Sequence, residues 1–317
     1  MEIITSGCLK YPTKTGQIMT ITIGNMHLEG SALIYIASDR NFFKLNKLEI
    51  ALKNYDAGLD AVNDMLQGKL DIAVTTEYPL VGKAYKKEKI KSIASIVKAD
   101  YEFLVARKDR GILDIADLKG KKIGLRRDTI PEFYLGRFLS IHSLNIKDVH
   151  IANMNISQSE TALLDGEIDA IVDWQPYTDS ILKRLGNNAV KWPVQSNQAT
   201  YGLLVCRDDW IAKNSDAIDR FLKALSEAEK FSAENLSVVK SIVKKAMNFS
   251  DAYLDRVWEQ NQFSVSIDQS LILAMEDEAR WMIRNNLTTE KLIPNFLEYI
   301  HENNLEAIKP ESVSIIR

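Results

Sequence analysis

Leu66-Gln67-Gly68-Lys69-Leu70-Asp71-Ile72-Ala73-Val74-Thr75-Thr76-Glu77-Tyr78-Pro79 has a counterpart further along the chain, Leu164-Asp165-Gly166-Glu167-Ile168-Asp169-Ala170-Ile171-Val172-Asp173-Trp174-Gln175-Pro176. Each copy reads as a helix end, a glycine stop, an acidic residue, a short apolar strand and a polar loop closed by proline. Glycine at the stop suits the left-handed conformation in which many helices end. Both copies follow other strand–helix units, so the recurrence predicts two related α/β lobes facing each other. Ligands of open α/β sheets bind at the loops after the strands. A two-lobed clamp for a small molecule is therefore the first expectation.

Outward from the first copy, Met19–Gly24 alternates and is β-branched, as a strand does. The segment Asn25–Gly30 reads as a loop, with Ser31 placed to cap a helix running through Arg40. Strands are predicted over Leu48–Asn54, Leu70–Val74 and Ile90–Val97, with helices over Leu59–Leu66 and Pro79–Tyr85. This alternation implies parallel strands with right-handed crossovers. Tyr101–Arg107 is a strand without a preceding helix and carries the chain out of the first lobe. The alternation then restarts, with strands at Lys122–Leu125, Val149–Asn153 and Ile168–Val172 and helices at Glu132–His142, Ser157–Leu164 and Tyr177–Leu185. Thr200–Cys206 reads as a returning strand. From Ser215 onward the chain reads as helical. Apolar stripes there (Ile218, Phe221, Leu222, Leu225; Tyr253, Leu254, Val257; Ile272, Met275, Ala279) mark faces packed on the first lobe, with Ser215 and Ser250 as N-caps. Asp71 and Asp169 open strands and are expected to be structural. The predicted division is a leader at 1–19, a first lobe from 20–104 and 204–317, and a second lobe at 105–203. Crossing strands near Phe103 and Leu204 serve as the hinge.

Composition narrows the function classes. The chain has 317 residues, 46% hydrophobic and 26% charged, with a net charge of −3. That is room for two domains, and no charge run suggests nucleic acid as a partner. Cys8 and Cys206 form no Cys-x-x-Cys motif, and His27, His142, His150 and His301 are scattered, so neither a metal site nor a cofactor is expected. Ile3-Ile4-Thr5-Ser6-Gly7-Cys8 looks like the tail of a lipoprotein signal, with Cys8 as the acylated residue, although Thr5 stands where a Leu-like residue is usual. The alternative is a leader with a chance Gly-Cys.

Four segments carry a family resemblance. They are Ile34-Tyr35-Ile36-Ala37-Ser38-Asp39-Arg40-Asn41-Phe42-Phe43; Gln67-Gly68-Lys69-Leu70-Asp71-Ile72-Ala73; Gly111-Ile112 with Asp117-Leu118-Lys119-Gly120-Lys121-Lys122-Ile123-Gly124; and Asp165-Gly166-Glu167-Ile168-Asp169-Ala170 with Trp174, Pro176 and Tyr177. In order and spacing they resemble the solute-binding proteins of ABC importers, in the branch for nitrate, sulfonate, taurine and thiamine-pyrimidine precursors. The match runs from about Thr20 to Leu236. It implies an α/β, two-lobed, periplasmic-binding-protein-like (type II) fold. It also implies a small-molecule solute, an ABC permease as membrane partner, a monomer, and an extracytoplasmic place. A receptor's sensor domain would use the same cleft. Enzymes exist on the fold too, but the cysteine-rich motif of the related pyrimidine synthases is absent.

The resemblance further implies which loops line the cleft: His27, Glu29 and Ser31; Tyr55, Asp56 and Gly58; Thr76 and Glu77; Arg126, Asp128 and Thr129; Asp173, Trp174 and Tyr177; and Tyr201. Helix N-termini suit an anionic group, and Trp174 and Tyr177 suit a flat ring or an ammonium. Glu29, Asp56, Glu77, Asp128 and Asp173 outnumber Arg126 and Arg127, which favours an amine-bearing, zwitterionic or heteroaromatic solute. Glu29 or Glu77 is expected to meet its positive group. Where the family usually has a small Gly-Ser or Gly-Thr pair, this chain has Arg127-Asp128-Thr129.

Overall fold

The computed structural model describes residues 17–317. Among them the strands are β1 (Met19–Met26), β2 (Leu48–Tyr55), β3 (Ile72–Thr75), β4 (Ile90–Ala99), β5 (Glu102–Arg107), β6 (Lys122–Leu125), β7 (His150–Asn153), β8 (Ala170–Trp174), β9 (Ala189–Pro193), β10 (Thr200–Arg207), β11 (Asn261–Asp268) and β12 (Val313–Ser314). They build a seven-stranded sheet in the order β12-β11-β4-β10-β3-β1-β2 and a five-stranded sheet in the order β7-β6-β8-β5-β9.

One pattern is built twice. β1 is parallel to β2 and β3, as β6 is to β7 and β8. An antiparallel strand then lies beside the third member of each trio, β10 against β3 and β5 against β8. Beyond it come β4 in one sheet and β9 in the other. The repeated sequence motif explains the match. Gly68 and Gly166 have φ of 77° and 78°, where a side chain would be strained. Asp71 Oδ2 accepts the Thr22 N–H at 2.8 Å, and Asp169 Oδ2 accepts the Lys122 N–H at 2.9 Å. Each aspartate thus ties the start of its strand to the neighbouring strand. All four residues of β3 and all five of β8 are buried, as in parallel sheets covered on both faces.

The chain crosses between the sheets twice, at residues 99–102 and 193–200. The fully buried Gln195 staples the two crossings together. Its Oε1 accepts the N–H groups of Tyr101 (2.7 Å) and Glu102 (2.8 Å), and its Nε2 donates to the Ala99 carbonyl (3.0 Å) and to Thr200 Oγ1 (3.1 Å).

Several local expectations differ from the structure. β1 runs on to Met26, and Ser31 caps nothing: its hydroxyl donates to the Met26 carbonyl at 2.9 Å. Ser215 lies inside the helix Ser215–Glu234, whose N-cap is Asn214. Ser250 does cap its helix, accepting the Tyr253 N–H. The C-terminal region is not all helical. β11 and β12 extend the first sheet there, because Gln262–Ile267 alternates too briefly to stand out among helical stripes. β9 was likewise unread. Cys8 lies outside the described residues.

Candidate functional site

Where the two sheets face each other, three helix N-termini converge. They belong to the helices Gly58–Leu66, Glu77–Tyr85 and Ile130–Ile141, with Ala57, Thr76 and Thr129 as N-caps. None of these caps turns its side chain onto its helix. The caps thus leave the first turns without their usual side-chain acceptor, apart from the Glu77 carboxylate on its own N–H, and these turns carry the positive end of the helix dipole. Gly58 is required here. A Cβ on it would stand 2.7 Å from both Cα and Oγ1 of Thr75, so only glycine lets this N-terminus approach β3.

Between these elements lies a void of about 10 Å³. Met26, Gly58, Thr75, Thr76 and Pro79 border it from one side, and Glu102, Thr129 and Trp174 from the other. Such a volume holds about one water molecule. A solute of several heavy atoms requires the walls to separate.

The walls are polar beyond what the protein itself satisfies. Thr75 Oγ1, both carboxyl oxygens of Glu102 and the indole Nε1 of Trp174 are buried without a hydrogen-bond partner. Buried polar groups are nearly always paired, so four such atoms around one void mark it out. Larger spaces exist. A groove of about 400 Å³ shares Leu59 and Pro79 with the void and runs past Tyr78, Lys83 and Thr288. Another of about 520 Å³ lies at the sheet edge around Phe43 and Leu48. The groove holds one unpaired buried atom, the Tyr78 hydroxyl. The unsatisfied polar atoms, rather than volume, identify the site.

Four carboxyls are buried in this region, and burial is the main force on each. It pushes Glu29 and Asp173 up to about 7 and Glu77 to about 8. Glu102 is driven well above the usual range, with the charges of Asp173, Glu77 and Asp100 adding to the effect. Three of the four have partners. Glu29 accepts the Tyr253 hydroxyl at 3.1 Å. Asp173 accepts the Trp174 N–H at 2.9 Å and the Ser159 hydroxyl at 3.1 Å. Glu77 accepts the Tyr201 N–H at 3.0 Å and faces the fully buried Glu278. Burial raises both, and the charge of Glu77 and its hydrogen bond raise Glu278 further, so Glu278 holds the proton that the pair shares.

Of the residues expected in the cleft, Gly58, Thr76, Thr129 and Trp174 line the void. Asp173 and Glu77 flank it in sequence. Tyr177 stands edge-on to Trp174, with ring centres 6.2 Å apart. Others point elsewhere. His27 is exposed beside the Tyr35 hydroxyl, and the Tyr55 hydroxyl donates to Asp64 at 2.6 Å. Asp56 and Asp128 are exposed. The Tyr201 hydroxyl meets Ser270 Oγ at 2.6 Å. Arg126 pairs with Asp60 at 3.1 Å, and Arg127 pairs with Glu132 at 2.6 Å, so neither guanidinium is free for an anion. Ser31 and Glu29 are held by Met26 and Tyr253. Tyr101 and Glu102 were missed as cleft residues, whereas Thr75, expected in the loop after the third strand, does line the void. The available signal was a lone carboxylate opening an otherwise apolar strand, Glu102-Phe103-Leu104-Val105-Ala106.

The sequence matches the NMT1/THI5-like family over residues 29–235. A protein of Brucella abortus described as a binding protein is 26% identical over 232 residues, 71% of this chain and 70% of that one. A protein of Haemophilus influenzae described as a thiamine biosynthesis protein is 29% identical over 142 residues, 44% of this chain and 45% of its own. Among solved structures, the alkanesulfonate-binding protein SsuA from Xanthomonas axonopodis pv. citri, bound to MOPS, superposes with a TM-score of 0.79 at 15% identity. That match covers 91% of this chain and 100% of SsuA. The desulfurization enzyme DszB superposes with a TM-score of 0.65 at 14% identity, covering 92% and 99%. The architecture is thus the periplasmic-binding-protein fold, on which both binding proteins and an enzyme are built. With its twice-built sheet and a match over most of its length, the chain belongs to the NMT1/THI5-like family.

Proposed function

We propose that the protein is the extracytoplasmic solute-binding component of an ABC importer. It captures a small nitrogen-containing, zwitterionic or sulfonate-type organic solute between two lobes and delivers it to a membrane permease. The lobes follow the two sheets, β1–β4 with β10–β12 in one and β5–β9 in the other, hinged at the two crossings that Gln195 joins. One observation carries this reading: the void between the sheets is ringed by buried polar atoms without partners and by three helix N-termini without side-chain caps. The N-termini suit a sulfonate or carboxylate end, and Trp174 offers an aromatic wall. The chemistry of MOPS, a zwitterionic sulfonate held by the Xanthomonas protein, agrees with such a solute. Relatives described as binding proteins support capture rather than turnover, and no catalytic step belongs to this reading. Among the described residues no helix is long and apolar enough to cross a membrane; acylation of Cys8 belongs to this reading. The test is a thermal-shift screen against taurine, alkylsulfonates, pyrimidines, amines and amino acids. A solute at a hundredfold over its Kd raises folded-state stability by about 2.7 kcal/mol. A flat response across the screen, repeated by calorimetry, would remove the reading.

A further inference from the structure

We infer that Glu102 selects solutes bearing a cationic nitrogen, and that its carboxylate and the Trp174 indole together form the cation-binding wall of the inter-lobe site. The inference rests on the solute-binding reading above and adds the residue that discriminates. Glu102 and Trp174 are direct partners in the antiparallel β5–β8 ladder, and directly opposed residues project to the same face of a sheet. Both line the void, at 0% and 3% exposure. The backbone of Glu102 is fixed by Gln195, so its side chain is held in place by the crossing itself.

The electrostatics are one-sided. The charged groups acting on the Glu102 carboxyl are Asp173, Glu77 and Asp100, all acidic. Among the described residues no cation and no hydrogen-bond donor reaches either of its oxygens. An unpaired buried carboxylate is costly unless neutralised. The site has two ways to neutralise it: a proton when empty, or a cation when filled. An ammonium would also find the aromatic face that such groups favour. Glu29, Asp173 and Glu77 are each engaged by protein donors. Glu278 also has both oxygens without a donor, but it lies behind Glu77 and outside the void's lining; of the residues lining the void, Glu102 is the carboxyl with both oxygens left for a ligand.

The test uses matched pairs that differ only in the amine: taurine against ethanesulfonate, homotaurine against propanesulfonate, and aminomethylpyrimidine against methylpyrimidine. Calorimetric affinities are measured on the wild-type protein and on Glu102→Gln, which removes the charge and keeps the shape. In the wild type the amine-bearing member of the best pair should bind about ten- to a hundredfold more tightly, as for a charge-assisted hydrogen bond. In Glu102→Gln the gap should shrink to about threefold or less, the residue of a neutral hydrogen bond, with the amine-free member bound as well as before. The variant should melt close to the wild type, because a neutral amide replaces a carboxyl that a proton already neutralises in the empty site. Equal binding of both members by the wild type, or a gap that persists in the variant, overturns the inference and leaves solute binding intact. A wild-type protein that binds no member overturns both.

Discussion

Gly136→Ala tests closure of the two lobes. Gly136 lies on the helix Ile130–Ile141, which follows β6 of the five-stranded sheet. Opposite it, Trp281 lies on the helix Gln269–Arg284, which packs on Glu77–Tyr85 beside the other sheet. A Cβ at Gly136 would stand 2.2, 2.6 and 2.8 Å from three atoms of the Trp281 indole. The indole cannot simply tilt away, because Phe133 meets it edge-on at 5.7 Å and Tyr78 lies at 6.3 Å. Forcing a methyl into such a contact costs about 1–3 kcal/mol. The contact joins the two sheets outside the lining of the void, so it is taken to persist when the lobes close on a solute, and the penalty then falls on the solute-bound closed form and spares each lobe. Apparent solute affinity should then fall about 5- to 150-fold. The assay is calorimetric titration of wild type and variant with the best screening hit, with small-angle scattering to follow the radius of gyration. The variant should remain more expanded at subsaturating solute, and Trp281→Leu in the same chain should restore affinity. Affinity within twofold of wild type together with an unchanged radius would refute the reasoning.

Trp174→Ala should weaken solute binding by ~1–3 kcal/mol through loss of a buried aromatic wall, read by the same titration. Gln195→Leu leaves the N–H groups of Tyr101 and Glu102 without acceptors, at about 1–3 kcal/mol each, so urea denaturation should show a loss of about 2–6 kcal/mol. For Glu29, burial moves the carboxyl from 4.5 up to about 7. A raised folded-state value means the stabilisation is full below the unfolded value and is lost as pH climbs through 7. The loss amounts to roughly 3 kcal/mol. Asp173, Glu77 and Glu102 are raised by the same cause and add losses of the same sign, so between pH 5 and pH 8 the wild type should lose more stability than Glu29→Gln, the difference being the share of Glu29.

The fold was legible because the repeat carries its own backbone chemistry. Gly68 and Gly166 must turn left-handed, and Asp71 and Asp169 must cap the neighbouring strands, so their spacing printed the two sheets into the sequence. β9, a five-residue edge strand, carries little periodic signal, and the alternation of β11, which lies between β4 and β12, is hidden among the helical stripes around it. The site was half legible. Loop positions such as Gly58, Thr76, Thr129 and Trp174 follow from strand–helix order. Side-chain direction does not: Tyr55 and Tyr201 sit at the expected positions, yet their hydroxyls bond Asp64 and Ser270. The excess of carboxylates in the loops was legible as composition, but the surroundings of each carboxylate were not. Glu29 and Glu77 have partners in the core, whereas Glu102 belongs to a crossing strand and not to a loop.

The most direct measurement is a crystal structure of the protein grown with its tightest-binding solute. The account predicts density for that solute between Thr75, Glu102 and Trp174, a cationic nitrogen against the Glu102 carboxylate and any acidic end toward the N-termini at Gly58, Glu77 and Ile130. Density seated instead in the groove past Lys83 and Thr288, with the void between the sheets unchanged, would contradict it.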